Sequence, residues 1–160
     1  DPVIFFEHRS LLDGPGARRP WPGDDFMLPF GVARCLRAGT ELTVVSWGAM
    51  GERCELAAAE SGIDVELLDL RTLSPWDREA VLASVAKTRR CLVVHEDNLT
   101  AGFGAEIAAV LAERAFFNLD APIERLAMPD VPSPHSPQLL DTVVPSVAGI
   151  VAAIRRIVSV

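Results

Sequence analysis

The sequence predicts a three-layer α/β fold with helices on both faces of a mainly parallel or mixed sheet. Between residues 42 and 128, four apolar runs of strand length, "LTVVSW" (42–47), "IDVELLDL" (63–70), "CLVVH" (91–95) and "IERLAM" (123–128), alternate with segments of helical period. The joints between them are short, so each strand–helix–strand unit closes as a right-handed crossover. Parallel neighbours covered on both faces follow.

The chain opens with "DPVIFFEH", an apolar run too short for a helix and rich in β-branched and aromatic residues. It reads as a buried strand without a partner nearby. The following "RSLLDGPGARRPWPGDDFMLPFG" scatters Gly and Pro without apolar period, which reads as an extended connector. Residues 1–40 are therefore expected to be the last strand of a preceding domain plus a connector, and 41–160 the domain proper. A first residue of Asp1 rather than Met, with no charged leader, suggests a piece of a longer chain.

Within 41–160, "MGERCELAAAESG" predicts a helix closed by Gly62. "SPWDREAVLASVAKT" predicts a second, with Ser74 as N-cap, Pro75 in the first turn and Asp77 three residues past the cap. Its Val81, Leu82, Val85 and Ala86 keep helical spacing. After "CLVVH" comes a polar turn carrying His95, Glu96 and Asp97, then a helix opened by Gly102 and Gly104 with Ile107, Val110 and Leu111 on one face. "IERLAM" reads as an edge strand and "PDVPSPHSPQ" as a proline-rich loop. The last element, "SVAGIVAAIRRIVSV", is a packed helix behind Pro145 with Ser146 as cap.

A length of 160 residues, 49% hydrophobic and 23% charged, allows one domain with a core plus an extension. The longest apolar runs fall short of a membrane span. A formal charge of -7 argues against nucleic-acid and anionic-membrane surfaces and favours basic partners. Cys35, Cys54 and Cys91 are odd in number and widely spaced, with neither a disulfide framework nor zinc spacing.

Candidate site residues gather at strand ends. Gly102 and Gly104 lack a third Rossmann glycine and a Walker lysine, so they point to close helix packing rather than a phosphate cradle. His95 and Glu96 are adjacent, so an extended backbone sends them to opposite faces. A two-residue acid/base or metal pair does not follow. Either His95 is an acid/base group at a strand end, or one of the two turns inward to hold the loop by hydrogen bonds while the other meets solvent or a neighbouring domain. The structural alternative is favoured. Arg71 could clamp a carboxylate or phosphate, or pair locally with Asp69. His135 lies exposed between prolines, and Ser46 lacks a nucleophile elbow.

The segments "PVIFFEH", "LPFGVARCLRAGTELTVVSWGAM", "VELLDLRTLSPWD", "LVVHEDNLTAGFGAEI", "NLDAPIERL" and "PDVPSPHSP" together resemble the beta subunit of thiamine diphosphate-dependent 2-oxo acid dehydrogenases. "DLRTLSPWD", "TAGFGAEI", "NLDAPI" and Pro134-His135 are more similar to the branched-chain type, 3-methyl-2-oxobutanoate dehydrogenase, than to the pyruvate type. The connector also resembles versions in which alpha and beta subunits are fused.

The resemblance implies a transketolase C-terminal-like domain, preceded by the last strand of a pyrimidine-binding domain and the interdomain connector. It implies a parent enzyme that decarboxylates branched 2-oxo acids oxidatively and acylates lipoyl-lysine with thiamine diphosphate and magnesium. The family's activating glutamate and active-site histidine belong to the preceding domain, so no catalytic, cofactor or metal residue is expected in this chain and none of those groups in the fragment. Implied partners are an alpha subunit or fused alpha region, a second beta subunit, and the basic peripheral subunit-binding domain of the dihydrolipoyl acyltransferase. Asp120 and the end of the chain near Val160 correspond to that docking surface, while Arg71, His95 and Glu96 would lie near an interdomain edge. The implied location is the bacterial cytoplasm, ahead of the mitochondrial matrix. The same domain from a pyruvate or acetoin dehydrogenase or a transketolase-like enzyme, and a pure interaction module inactive in isolation, are the alternatives. Faces left bare in the fragment are expected to self-associate.

Overall fold

The computed structural model describes residues 2, 4–14, 18 and 20–160. Its strands are β1 (Arg34–Arg37), β2 (Leu42–Ser46), β3 (Val65–Asp69), β4 (Cys91–Asn98) and β5 (Glu124–Met128). Its helices are α1 (Arg9–Asp13), α2 (Met50–Ser61), α3 (Arg78–Thr88), α4 (Phe103–Arg114), α5 (Pro137–Val143) and α6 (Val147–Val158). The strands form one sheet in the order β1-β3-β2-β4-β5. All neighbours run parallel except β1, which is antiparallel to β3 at one edge.

Alternation along the buried strands divides the core in two. Val44 and Leu67 face one side with Leu92 and Val94, packed by Met50, Cys54 and Ala57 of α2 and Ile150, Ile154 and Ile157 of α6. Val45, Leu68 and Val93 face the other, packed by Val81 and Val85 of α3 and Ile107 and Leu111 of α4. The three-layer α/β/α arrangement follows. On the α3 side Thr43 is buried, and its hydroxyl bonds Ser84 at 2.6 Å and Thr88 at 2.7 Å, so the polar group enters the core with partners.

Several local expectations change. Where the "DPVIFFEH" strand is expected, the described residues 4–8 have no regular structure within this chain, and Phe6 is 88% exposed. A strand needs a neighbour for its backbone groups, and no described strand lies beside it; Asp1 and Val3 lie outside the described residues. The connector instead supplies β1, whose Arg-Cys-Leu-Arg sequence has too little apolar period to announce a strand. The N-cap of α3 is Asp77, which accepts from the Ala80 amide at 3.0 Å, and not Ser74. Ser74 precedes a cis bond to Pro75, and both lie before the helix. The polar turn at His95–Asp97 is a continuation of β4. The proline-rich loop ends early, because Pro137 takes the first turn of α5, where its missing N–H costs nothing. Gly62 does close α2 with φ 75°, and Ser146 does cap α6 by accepting from the Gly149 amide at 3.1 Å.

Contrary to the expectation that no apolar run reaches membrane-spanning length, Pro137–Val158 is 22 residues long with a mean hydropathy of 1.5. Its backbone is extended at Val144 and Ser146, however, which splits it into α5 and α6. The apolar stripe of α6 is buried against α2 and the sheet, so the hydropathy is that of a core helix.

Candidate functional site

The sheet order places β2 at the centre. From it the chain runs to β3 on one side, then crosses back to β4 on the other. The carboxyl ends of β2 and β4 therefore flank the switch point, the crevice where open α/β sheets take ligands. Trp47 and Gly48 follow β2 there, and His95, Glu96 and Asp97 occupy the end of β4.

The end of β4 is bulged. Val94 pairs with Leu126 and Asn98 with Met128, so three β4 residues lie opposite one on β5. Such a bulge re-aims side chains. His95 goes inward and is fully buried, stacked on Trp47 with centroids 5.2 Å apart and planes 9° from parallel. Glu96 goes the other way and stays half-exposed. The opposite-face expectation is met.

His95 does not hold the loop by hydrogen bonds. Neither ring nitrogen has a partner, and packing fixes the ring instead. A Cβ on Gly104 would lie 2.4 Å from His95 Nε2, and one on Gly102 would lie 2.8 Å from Cε1 and 2.1 Å from the Asn98 carbonyl oxygen. The two glycines thus make a socket for an imidazole, not a cradle for a phosphate. Burial pushes the imidazole below its usual pKa, with Asp97 opposing and Arg125 adding. In this chain the ring has neither solvent contact nor a polar partner, so packing accounts for its placement.

Glu96 meets a residue that sequence reasoning did not single out. Its Oε1 lies 2.6 Å from His8 Nε2, and Ser10 Oγ lies 2.8 Å from His8 Nδ1. With Nε2–H donating to Glu96, Nδ1 is left to accept from Ser10. Gly48 sits beneath the pair: a Cβ there would be 3.7 Å from His8 and 3.8 Å from Glu96. The connector is also held farther along. The Gly31 amide donates to Thr72 Oγ1 at 2.8 Å, and the Ala33 amide to Asp77 Oδ2 at 2.9 Å. "TLSPWD" is thus a receptor for backbone, and Asp77 serves both α3 and the connector. No sequence signal linked these pairs, which lie 41 and 44 residues apart.

Arg71 resolves to the local alternative. Its Nε lies 2.8 Å from Asp69 Oδ2, and its backbone, at φ 62°, turns so that its amide donates to the same carboxylate. An open cleft of about 750 Å³ lies beside this loop, lined by Trp76, Arg78, Phe103 and Glu106 among others. Arg78 lies 5.6 Å above the Trp76 ring and 3.9 Å from Glu106, so its charge is already answered there. Among the described residues, no group of three His, Cys, Asp or Glu side chains is placed to hold a metal ion.

Asp120 lies at the opposite, amino-end edge. It accepts two hydrogen bonds from Arg89, at 2.6 and 2.7 Å, which hold its carboxyl below the usual range. The Asp120 amide donates to the Arg89 carbonyl as well. Val160 is 73% exposed. It follows Arg156 by four residues, Asp120 precedes Glu124 by four, and Arg156 pairs with Glu124. That ion pair ties the last turn of α6 to the start of β5. His135 is exposed.

Comparison with known proteins bears on what such an arrangement is for. Residues 31–150 match the family described as Transketolase, C-terminal domain. The chain is similar to 2-oxoisovalerate dehydrogenase subunit beta 2, mitochondrial, of Arabidopsis thaliana, at 46% identity over 84% of this chain and 38% of that protein. It is 42% identical to the acetoin:2,6-dichlorophenolindophenol oxidoreductase subunit beta of Cupriavidus necator, over 98% of this chain and 46% of that one. A split-gene transketolase, described as an inactive beta4 tetramer, superimposes with a TM-score of 0.72 at 25% identity, covering 86% of this chain and 44% of that chain. The chain thus spans less than half the length of each of these.

Proposed function

We propose, from the premise that this chain belongs to the transketolase C-terminal domain family, that it is the assembly and docking domain of a branched-chain 2-oxo acid dehydrogenase beta subunit. The parent enzyme decarboxylates branched 2-oxo acids oxidatively and passes the acyl group to lipoyl-lysine. Thiamine diphosphate, with magnesium, supplies the carbanion chemistry in that parent. The residues at the switch point of this chain do not fit a diphosphate and its metal, because His95 fills the glycine socket. The apolar segment before His8 belongs, in this reading, to the sheet of a preceding pyrimidine-binding domain.

One observation carries the reading. The carboxyl-end edge, where a sheet of this topology would take a small ligand, is packed with His95 and with the chain's own connector. A domain whose ligand edge is used for interdomain contact serves assembly. Its partners are an alpha subunit or fused alpha region, a second beta subunit and the acyltransferase's peripheral subunit-binding domain, and its location is the bacterial cytoplasm. Asp120 and Val160 present the docking edge to that last partner. Carboxylates suit it, since charge-assisted bonds to Arg or Lys orient and speed encounter.

Calorimetric titration tests this. The chain is expected to give no heat with thiamine diphosphate and magnesium and saturable binding with the acyltransferase's subunit-binding domain. Asp120→Lys should weaken that binding at low salt. Arg89→Ala breaks the same internal ion pair but keeps the carboxylate, and should not. Equal loss in both variants would reduce Asp120 to a structural residue, and cofactor binding would overturn the assembly reading. The 42% identity to the acetoin oxidoreductase subunit supports a second substrate assignment for the same parent architecture. Turnover by the full-length enzyme of valine-, leucine- and isoleucine-derived oxo acids against pyruvate and acetoin separates the two.

A further inference from the structure

We propose that Arg89 is an internal competitor at the docking edge, occupying the Asp120 carboxylate in place of a partner's cation and so weakening and selecting what docks there. The inference rests on the reading of Asp120 as a docking residue and adds the residue that regulates it. The first observation is the backbone position that Arg89 holds. α3 ends at Arg89, whose backbone is left-handed at φ 63° and ψ 5°, with its amide closing the last turn on the Val85 carbonyl. α2 ends in the same way, at φ 75° and ψ 8°, and there the residue is Gly62. A Cβ added at Gly62 would meet no heavy atom within 4 Å among the described residues, so glycine stands there for its conformation and not for room. Such a cap costs a residue with a β-carbon and is free to glycine. An arginine at the equivalent point of α3 needs a compensating contact.

The second observation is that contact. Arg89 Nε donates to Asp120 Oδ2 at 2.6 Å and Nη2 to Oδ1 at 2.7 Å, while the Asp120 amide donates to the Arg89 carbonyl at 2.9 Å. Three bonds thus join two residues 31 positions apart. Both side chains remain open to a partner, at 49% and 41% exposure. An incoming Lys or Arg therefore meets an ion pair and not a bare carboxylate. The guanidinium has already cancelled the charge and taken one lone pair from each oxygen, and it repels a second cation. A lysine, as a point charge, gains little from such a pair, whereas an arginine can exchange one two-bond fork for another. Rejecting weak matches in this way gives an interface specificity at some loss of affinity.

The test is calorimetric titration of the acyltransferase's peripheral subunit-binding domain into the full-length parent enzyme carrying Arg89→Gly, Asp120→Asn or both. Glycine takes the left-handed cap without strain, so Arg89→Gly keeps the end of α3 intact. It should tighten binding about two- to fivefold, the worth of an exposed ion pair. Arg89→Gly also makes the chain more acidic, which by itself would favour a basic partner. The Asp120→Asn background separates the two effects, because the charge change persists there while the competition is gone. The gain should therefore vanish in the double variant. Affinity of Arg89→Gly equal to or below wild type, or a gain that survives alongside Asp120→Asn, would overturn the competitor and leave docking through Asp120 standing. Asp120→Asn binding as tightly as wild type would instead remove the docking role of Asp120, and the competitor with it.

Discussion

His95 illustrates how a residue type that invites a chemical reading can be claimed by packing. Its ring fills the space above Gly102 and Gly104, lies flat on Trp47 and meets no polar partner. Gly104→Ala would set a methyl 2.4 Å from Nε2, so the ring or the helix must shift. Overpacking of this kind costs about 1–3 kcal/mol. Gly104→Ala should lower stability to chemical denaturation by that amount, and His95→Ala should recover part of it, as coupled neighbours do. The same burial has a pH signature. With the folded pKa lowered, the unfolded chain binds the proton first, so stability falls as pH drops below about 6.5. His95→Phe, which keeps an aromatic plane against Trp47, should flatten the difference in denaturation midpoint between pH 7.5 and 5.5; an unchanged difference would locate the proton elsewhere. Burial sorts the thiols too. Cys54 and Cys91 are pushed up to about 12, while Cys35 is exposed. A disulfide reagent should titrate Cys35 alone in the folded chain and all three after unfolding.

Among the elements, legibility followed apolar period. β2, β3 and β4 are rich in β-branched residues and leucine, and α6 repeats its apolar residues at helical spacing, so sequence and structure agree on these elements. Where tertiary contacts decide, the sequence is silent. β1 is an edge strand whose exposed residues need no hydrophobic alternation, and "IFFEH" (4–8) has the composition of a strand but no strand to pair with among the described residues. Ser74 and Asp77 are both good cap residues within one turn. The chain's entry into α3 selects Asp77, which also satisfies the Ala33 amide. Asp77→Ala should cost about 0.5–2 kcal/mol for the cap alone, with an added loss for the orphaned Ala33 amide. Ser74→Ala should be neutral within error in the same denaturation experiment. The site was legible in part for the same reason. Adjacency gave the opposite facing of His95 and Glu96, but nothing local could join Glu96 to His8 across 88 residues.

At the scale of the molecule the distribution of apolar surface is uneven. The faces of the sheet are covered by four helices, yet Phe5, Phe6, Trp21, Phe26, Met27 and Phe30, all in the connector region, remain exposed. So many exposed large apolar side chains in one connector call for a partner. In the proposed parent the preceding domain and neighbouring subunits supply it. The isolated chain has only copies of itself. Sedimentation velocity at micromolar concentration should therefore give a mass above the 17.3 kDa of one chain. Replacing Phe5, Phe6 and Met27 by Ser should return it toward one copy without lowering the denaturation midpoint, because these side chains contribute nothing to the two core clusters. A wild-type chain that sediments as one copy would mean the connector shields its own apolar residues in solution. Assembly through this surface would then have to be abandoned in favour of the amino-end edge that carries Asp120.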